Sequence, residues 1–362
     1  MAVQRITIED FLALAEQHPV LDVRSPGEYQ HAHIPGAYSF PLFSDEERKI
    51  VGTTYKQVSR ESAIKAGLDF FGPRMRTYID KAEEILVSRP VKPEEKGGPS
   101  RTLLVHCWRG GMRSTAIAWL LDLYGFKVYS LIGGYKKYRH WVIDTYSSPI
   151  PLSILGGFTG SGKTYVLQQL GAAGQPILDL EALACHKGSA FGNIGMPQQP
   201  SQEHFENLLA HSLNGLGIRP GSVYTGTPII IEDESQRIGL VNIPQVFWNL
   251  MRSSAVFFLE IPFEERLSHI LEEYGPLDRI ALREAILRIQ KRLGGLETKT
   301  AVAALDEGDT ASCFRILLTY YDKWYLKGLH NRDGLEQLLH RLPCEGVRAE
   351  ENARKVLGSL KR

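Results

Sequence analysis

The 362-residue sequence has only four cysteines, and no two of them form a CxxC pair. This excludes the usual spacing of a structural zinc site, and so few thiols are typical of a reducing compartment. No run of about 18 consecutive apolar residues is present, which excludes the pattern of a membrane-spanning helix. The first residues lack the apolar core and cleavage site of a signal peptide. We therefore expect a cytoplasmic protein with no membrane partner.

The sequence also has almost no net charge. Its formal charge at pH 7 is +1, so a polyanionic partner would have to meet a local basic patch. The composition is 43% hydrophobic and 23% charged, which is usual for globular proteins. The length is sufficient for two domains of ordinary size, each with its own core.

Short apolar segments alternate with amphipathic segments through most of the chain, a pattern typical of parallel α/β domains. A proline-containing break at 147–151 separates the halves, and we predict domains at 1–146 and 151–362. Periods of three to four residues predict a helical C-terminal part, with helices over 263–274, 278–293 and 311–328. A loop is expected over 86–100, where Pro, Gly and charged residues cluster.

The first candidate site is a cysteine that follows the apolar strand 102–105. The segment reads His106-Cys107-Trp108-Arg109-Gly110-Gly111-Met112-Arg113-Ser114, and an amphipathic helix follows. A strand, a glycine-bearing loop and a helix start together form an anion cradle of backbone N–H groups. Such surroundings lower a thiol pKa, and arginine binds oxyanions. We predict Cys107 as the reactive residue, assisted by Arg109 and Arg113.

Upstream, Asp22-Val23-Arg24 precedes Glu28 and the segment His33-Ile34-Pro35-Gly36-Ala37. With Gly133-Gly134-Tyr135, these motifs resemble rhodanese domains over roughly residues 5–145. The resemblance implies that Asp22, Arg24, Glu28 and the histidines hold the fold. Cys107 to Arg113 spans seven residues, whereas the usual sulfurtransferase loop spans six. The longer CxxxxxR loop predicts a cradle for a tetrahedral, phosphate-bearing donor.

The second candidate site is the segment Gly157-Phe158-Thr159-Gly160-Ser161-Gly162-Lys163-Thr164, which matches GxxxxGK[ST] between a predicted strand and helix. The motif predicts phosphate binding by Gly157, Gly160, Ser161, Gly162, Lys163 and Thr164. A later apolar strand, 228–231, ends in Glu232-Asp233-Glu234. We predict that Thr164 and either Glu232 or Asp233 hold Mg²⁺. The motif does not distinguish a nucleotide from another diphosphate.

Further segments follow the P-loop in a fixed order: 179–192, 200–207 and 234–239. Together with 51–57 and 107–114, they make the chain closely resemble the bacterial tRNA 2-selenouridine synthase family, from about residue 5 to Trp324 or beyond. The fold that this implies is a rhodanese-like parallel-sheet domain followed by a P-loop NTPase-like α/β domain.

The resemblance implies a transferase that exchanges the sulfur of 2-thiouridine, at the wobble position of certain tRNAs, for selenium. Selenophosphate is the implied donor. An S-geranylated intermediate made from geranyl diphosphate is also implied, and a selenophosphate-supplying enzyme is a further partner. We assign the diphosphate to the P-loop with Mg²⁺, and selenium transfer to Cys107.

A tRNA partner requires a cationic surface. Lys136, Lys137 and Arg139 lie among aromatic residues on a predicted helix, which favours phosphate contact with base stacking. Arg288, Lys291 and Arg292 share one face of the predicted helix 278–293. We predict that these six residues contact tRNA.

Three alternatives remain open on the residues alone. The CxxxxxR spacing also fits a phosphatase, although no general acid is evident. The P-loop fits an ATP-dependent sulfurtransferase or small-molecule kinase with a fused rhodanese. A non-catalytic RNA-binding protein is the third alternative, and intact Cys107, Lys163 and Thr164 argue against it.

Overall fold

The computed structural model describes residues 3–88 and 101–360, which form two compact units, residues 1–144 and 145–362. Most of the predicted loop 86–100 lies outside the described residues; its first three belong to a helix. Within the described part of the chain, no helix combines the length and apolarity needed to cross a membrane.

The first unit is built on a parallel sheet in the order β1-β5-β4-β2-β3. Its strands are β1 (Gln4–Ile6), β2 (Val20–Asp22), β3 (Tyr38–Ser39), β4 (Thr102–His106) and β5 (Lys127–Leu131). Its helices are α1 (Ile8–Ala15), α2 (Pro26–His31), α3 (Asp45–Gln57), α4 (Arg60–Phe71), α5 (Met75–Ser88), α6 (Met112–Tyr124) and α7 (Gly134–Tyr146), the last of which crosses the boundary between the units.

Strand β4 lies inside this sheet, and all five of its residues are buried. Helix α6 packs beside it because Ile117, Leu120 and Leu121 form its apolar side, as the sequence predicts. In a parallel sheet the residues after the strand ends meet at one edge, where ligands bind. Cys107 is placed at this edge because it directly follows β4.

The second unit contains a parallel sheet in the order β12-β11-β6-β8-β7 and a short β9-β10 hairpin. The strands are β6 (Leu152–Gly157), β7 (Ile177–Leu178), β8 (Ile229–Glu232), β9 (Arg237–Ile238), β10 (Val241–Asn242), β11 (Ala255–Glu260) and β12 (Leu339–Pro343). The early helices are α8 (Lys163–Ala172), α9 (Leu180–Ala184), α10 (Gln202–Gly215) and α11 (Gln245–Arg252). The later helices are α12 (Phe263–Tyr274), α13 (Arg279–Arg288), α14 (Gln290–Leu293), α15 (Gly295–Glu307), α16 (Thr310–His330), α17 (Leu335–Leu338) and α18 (Ala349–Leu360).

The C-terminal part is mainly helical, as predicted, and α12 and α16 match the predicted segments closely. The prediction of one helix over 278–293 is wrong. Helix α13 ends at Arg288. The next residue, Ile289, has a ψ of 2°, and its N–H bonds to the carbonyl of Ile286 in a 3₁₀-type turn. Strand β12, which adds to the sheet edge beside β11, was also not predicted.

Candidate functional site

The cysteine cradle is formed by the loop between β4 and α6. The buried Sγ of Cys107 lies 3.3 Å from the backbone N of Gly111 and 3.3 Å from the Ser114 hydroxyl. Burial by itself raises the pKa of the Cys107 thiol, but hydrogen bonds from the Ser114 hydroxyl and from loop N–H groups lower it below its usual value. The loop therefore lowers the pKa of this thiol, which is the direction that the sequence predicts.

Ser114 is a functional residue that the sequence analysis did not identify. Its hydroxyl lies within reach of both the Cys107 sulfur and, at 3.0 Å, the Gly111 carbonyl oxygen. It can donate to only one of them at a time, and ionisation of the thiol favours the sulfur as acceptor. The sequence feature that indicates this contact is the position of Ser114 as the third residue of α6, whose N-terminus follows the cysteine loop.

The two predicted arginines occupy different surroundings. Arg109 is exposed on the loop. The Arg113 guanidinium donates to the Glu28 carboxylate at 2.6 Å, so its charge is already paired. Burial of Glu28 opposes ionisation, but this pairing with Arg113 holds its pKa below the usual value. Arg113 thus ties α6 to the segment after β2, and its contact with a bound anion stays a prediction.

The back of the cradle is a close backbone contact at Gly134. A Cβ on Gly134, whose φ is +58°, would lie 2.3 Å from the carbonyl oxygen of Cys107. That oxygen accepts a hydrogen bond from the N–H of Tyr135 at 2.8 Å. Only glycine fits here, which explains the Gly-Gly-Tyr motif.

A buried ion pair lies behind the loop. The Arg24 guanidinium donates to the Asp22 carboxylate from both Nε and Nη2 and lies over the Tyr135 ring. Burial lowers the pKa of the neighbouring His106 to about 4, despite Asp22, so its ring is neutral at pH 7. These contacts agree with a fold-holding role for the Asp-Val-Arg motif.

Replacing Ser114 by alanine is expected to raise the pKa of Cys107 toward its ordinary value. The thiolate is present only above the folded-state pKa, so alkylation at a fixed pH near 7 should slow by about tenfold, the worth of one hydrogen bond to a charged group. Mass spectrometry of the Cys107 peptide after iodoacetamide treatment across pH measures this. Thr115→Ala is the matched control, since the Thr115 hydroxyl bonds the Gly111 carbonyl. Identical profiles for both variants and the parent would contradict the assignment.

The P-loop lies at the carboxyl end of β6, inside the second sheet. Gly160 and Gly162 have φ of +78° and +68°, which allows the backbone to turn into α8. The Lys163 ammonium donates to the Gly157 carbonyl oxygen at 2.9 Å and so folds back over the loop. The Ser161 hydroxyl is buried without a hydrogen-bond partner among the described residues. The loop thus has the form that binds a diphosphate.

Two polar networks from the helical part hold this loop. Arg266 donates to the Thr159 carbonyl oxygen at 3.0 Å and to both oxygens of Asp322, which joins α12, α16 and the loop. The Tyr325 hydroxyl accepts from the Gly157 N–H at 3.2 Å and donates to Asp233 at 2.7 Å. The helical part therefore positions the P-loop.

Asp233 is thereby removed from the predicted metal site. Its carboxylate accepts from the Arg332 guanidinium as well as from Tyr325. The structure corrects the predicted Mg²⁺ ligand, because Asp233 bonds to Arg332 and Tyr325, whereas Glu232 and Glu234 approach Glu181. Alternating side-chain directions in extended backbone explain this separation.

Three carboxylates do come together beside the P-loop. Glu181, Glu232 and Glu234 each place a carboxylate oxygen within 4.8 Å of the others. The Thr164 hydroxyl lies 3.4 Å from a Glu181 oxygen. Glu232 is 1% exposed, and neither of its carboxylate oxygens has a hydrogen-bond partner among the described residues. Glu181 and Glu234 were not predicted as ligands, although their segments were singled out.

This arrangement is suited to a divalent cation. Burial, together with repulsion from Glu181, raises the pKa of Glu232 to about 8, and burial raises that of Glu181 to about 7. Burial likewise raises the pKa of Glu234. Carboxylate and hydroxyl oxygens are the donors that Mg²⁺ prefers, and a cation would relieve this repulsion. These residues therefore fit Mg²⁺, which Glu232, Glu181, Glu234 and Thr164 would hold.

The P-loop and the carboxylates line one cavity of about 730 Å³ in the second unit. Aromatic and cationic residues are part of its remaining wall, among them Trp248, Arg252, Arg292, Tyr320 and Trp324. The segment 179–192 contributes Gly188, where a Cβ would come within 2.8 Å of carboxylate oxygens of Glu181 and Glu234.

The first group of residues predicted to contact tRNA lies on α7, but the aromatic rings beside it are not exposed. Lys136 and Lys137 are exposed on α7, and Arg139 is half-buried. Tyr135, Tyr138 and Trp141 are buried, so the expected stacking of bases on these rings is wrong. Their spacing of three residues already marks the apolar face of a helix.

The second predicted patch is divided by the helix break. Arg288 donates to the Ala190 carbonyl oxygen at 2.9 Å and to Asn193, and so anchors a loop. Lys291 is exposed on α14. Arg292 lines the cavity, with its guanidinium carbon 5.9 Å from the Trp324 ring centroid. The three residues do not share one helix face.

The comparisons with known proteins follow this division. Residues 7–140 match the rhodanese-like domain family, and residues 150–341 match the tRNA 2-selenouridine synthase AAA domain family. The fold prediction, a rhodanese-like domain followed by a P-loop domain, is thereby confirmed.

Curated relatives resemble both units. The tRNA 2-selenouridine synthase of Bdellovibrio bacteriovorus is 31% identical over 92% of this chain and 94% of its own length. That of Hydrogenovibrio crunogenus is 35% identical over 85% and 88%, and that of Nitrosomonas europaea is 37% identical over 74% and 67%. This chain, with its cysteine cradle and its P-loop cavity, belongs to the tRNA 2-selenouridine synthase family.

Proposed function

We propose that this protein modifies the wobble uridine of tRNA in two transfers. In the first, the 2-thiouridine sulfur takes a geranyl group from geranyl diphosphate. In the second, selenium from selenophosphate replaces the geranylated sulfur and yields 2-selenouridine. The observation that carries the proposal is family membership over nearly the whole chain, with both the thiolate cradle and the phosphate loop intact.

The P-loop cavity is assigned to geranyl transfer. A bond forms between sulfur and the allylic carbon, the carbon–oxygen bond breaks, and diphosphate leaves with the electron pair while the base loses a proton. Lys163, the Thr164 hydroxyl and the loop N–H groups bind the diphosphate where its negative charge grows. A bound Mg²⁺ ion supplies additional charge neutralisation to the leaving group. The carboxylates would hold that ion against the loop.

The Cys107 cradle is assigned to the selenium donor. A phosphate-bearing donor is an oxyanion, and the loop N–H groups with Arg109 favour its binding. The thiolate is the nucleophile that attacks phosphorus; the phosphorus–selenium bond breaks and selenide leaves with the electron pair. Water then cleaves the sulfur–phosphorus bond, which releases phosphate and restores Cys107, and the selenide attacks the base. Geranylation first converts the thiocarbonyl sulfur into a thiol leaving group, which the second transfer displaces.

Nucleoside mass spectrometry tests the proposal. A tRNA with wobble 2-thiouridine is incubated with the full chain and Mg²⁺, adding geranyl diphosphate and selenophosphate singly and together. We expect the S-geranylated nucleoside with geranyl diphosphate alone and 2-selenouridine with both. Lys163→Ala should slow geranylation by about 10²–10³-fold. An unchanged tRNA under every condition would refute the function, and ATPase turnover without tRNA would favour a kinase or sulfurtransferase.

A further inference from the structure

One aromatic side chain on the cavity wall is unusually open. Trp324, on α16, lines the P-loop cavity and yet is 41% exposed. Tyr320, one turn earlier, packs against it with a ring-centroid separation of 6.3 Å and also lines the cavity. A large indole at the mouth of a cavity is a common anchor for a ligand with an aromatic face.

Two cations lie over this ring, and one of them, Arg292, also lines the cavity. The Lys327 ammonium lies 5.1 Å from the Trp324 ring centroid, and the Arg292 guanidinium carbon lies 5.9 Å from it. Among the residues that the structure describes, neither cation has an ion-pair partner. Across the cavity lining, Arg252 lies 5.4 Å from the Trp248 ring centroid in a similar arrangement.

An aromatic face with two flanking cations is suited to a single-stranded nucleotide, whose base stacks while its phosphate meets the charges. An isoprenoid chain carries no charge beyond its diphosphate, and it would bury these cations without a partner. The wall also shares its cavity with the P-loop and the carboxylates. Transfer between two substrates requires them to be held within reacting distance, which this shared cavity allows.

We propose that Trp324, flanked by Arg292 and Lys327, is the stacking platform that holds an unstacked anticodon-loop nucleotide of the tRNA inside the P-loop cavity. This inference rests on the proposed function, since it assigns the RNA substrate to the cavity that takes the diphosphate. Enzymes that act on a base commonly take it out of its stack and hold it against aromatic side chains. Trp324 would thus provide the base stacking for which the rings of α7 are too deeply buried.

The test uses the full chain and a labelled anticodon stem-loop RNA containing 2-thiouridine. Fluorescence anisotropy is expected to show binding about 5- to 100-fold weaker for Trp324→Ala, with substantial recovery in Trp324→Phe. Trp119→Ala is the matched control, because Trp119 is an equally open tryptophan, 50% exposed, on α6 of the other unit. Thermal melting of each variant establishes that it is folded, and Trp324→Phe supplies the comparison if the alanine variant is not.

The flanking cations are tested by salt dependence. Arg292→Gln and Lys327→Gln should each reduce the slope of log binding constant against log salt by about 0.7, the contribution of one single-strand phosphate contact. The KM for geranyl diphosphate should stay within about twofold of the parent in both variants and in Trp324→Ala.

Two results would overturn the platform. RNA binding unchanged in Trp324→Ala would do so, and so would a selective rise in the KM for geranyl diphosphate, which would place the isoprenoid on this ring. Failure of the proposed function is a separate observation: the parent protein would bind the stem-loop but leave its 2-thiouridine unmodified.

Discussion

Cys107→Ser is expected to abolish 2-selenouridine formation, by at least about a thousandfold, while the S-geranylated nucleoside accumulates. A serine hydroxyl does not ionise near neutral pH and cannot replace a thiolate nucleophile. The hydrogen bonds from Gly111 and Ser114 would act on an oxygen that carries no charge. The P-loop keeps its contacts in this variant, so geranyl transfer should continue.

Nucleoside mass spectrometry with both co-substrates measures the two products separately. Cys185→Ser is the matched control, because Cys185 is half-exposed and lies outside the cradle. It should leave both products unchanged. If Cys107→Ser still made 2-selenouridine, Cys107 would not be the nucleophile that reacts with the selenium donor. Loss of both products would mean that the two sites are not separable as we assign them.

Glu232→Gln and Asp233→Asn, two neighbouring substitutions, are expected to differ in their effects on Mg²⁺ binding and on geranylation. Glu232→Gln removes a carboxylate that faces Glu181 and has no hydrogen-bond partner among the described residues. Mg²⁺ binding should weaken by about tenfold or more, and geranylation should slow by about 10²–10³-fold. Asp233→Asn weakens the network to Arg332 and Tyr325 and should leave Mg²⁺ affinity nearly unchanged.

Their effects on stability should also differ in sign. A carboxyl whose folded-state pKa is raised destabilises the fold as pH rises through that value, so Glu232→Gln should raise the melting temperature at pH 8 without metal. Asp233→Asn leaves the Arg332 charge buried with a neutral partner and should destabilise the fold by about 3 kcal/mol. Calorimetric Mg²⁺ titration and thermal melting measure both. Equal loss of Mg²⁺ affinity in the two variants would contradict the assignment.

Prediction succeeded where function depends on consecutive residues. A strand, a glycine loop and a helix start are contiguous in the chain, so the sequence alone located Cys107 and the P-loop. The amphipathic periods of α12 and α16 were equally local. The burial of the α7 rings is also a local property, since Tyr135 and Tyr138 are three residues apart and so share one helix face. The neighbouring lysines favoured the wrong prediction that these rings are exposed for base stacking.

Prediction failed where the decision depends on distant segments. Glu181 follows β7 and Glu232 ends β8, and only the pairing of these strands brings them together. Side chains alternate in direction along an extended chain, which predicts that Glu232 and Glu234 point the same way. It does not predict whether these two side chains or that of Asp233 face the P-loop. The carboxylate of Asp233, between these two glutamates, instead pairs with Arg332, which lies 99 residues further along the chain.

The sequence by itself determined that this protein has two α/β units, a cysteine on a glycine-bearing loop and a P-loop, because each depends on local backbone geometry. The tertiary structure alone decided which charges are free to act. Arg113 is paired with Glu28, and Arg288 holds a loop. Glu181, which follows β7, meets Glu232, the last residue of β8, beside the P-loop. Contacts between residues far apart in the chain neutralise some charges and bring others together. A local sequence pattern does not contain these contacts, so it does not predict which charges remain unpaired.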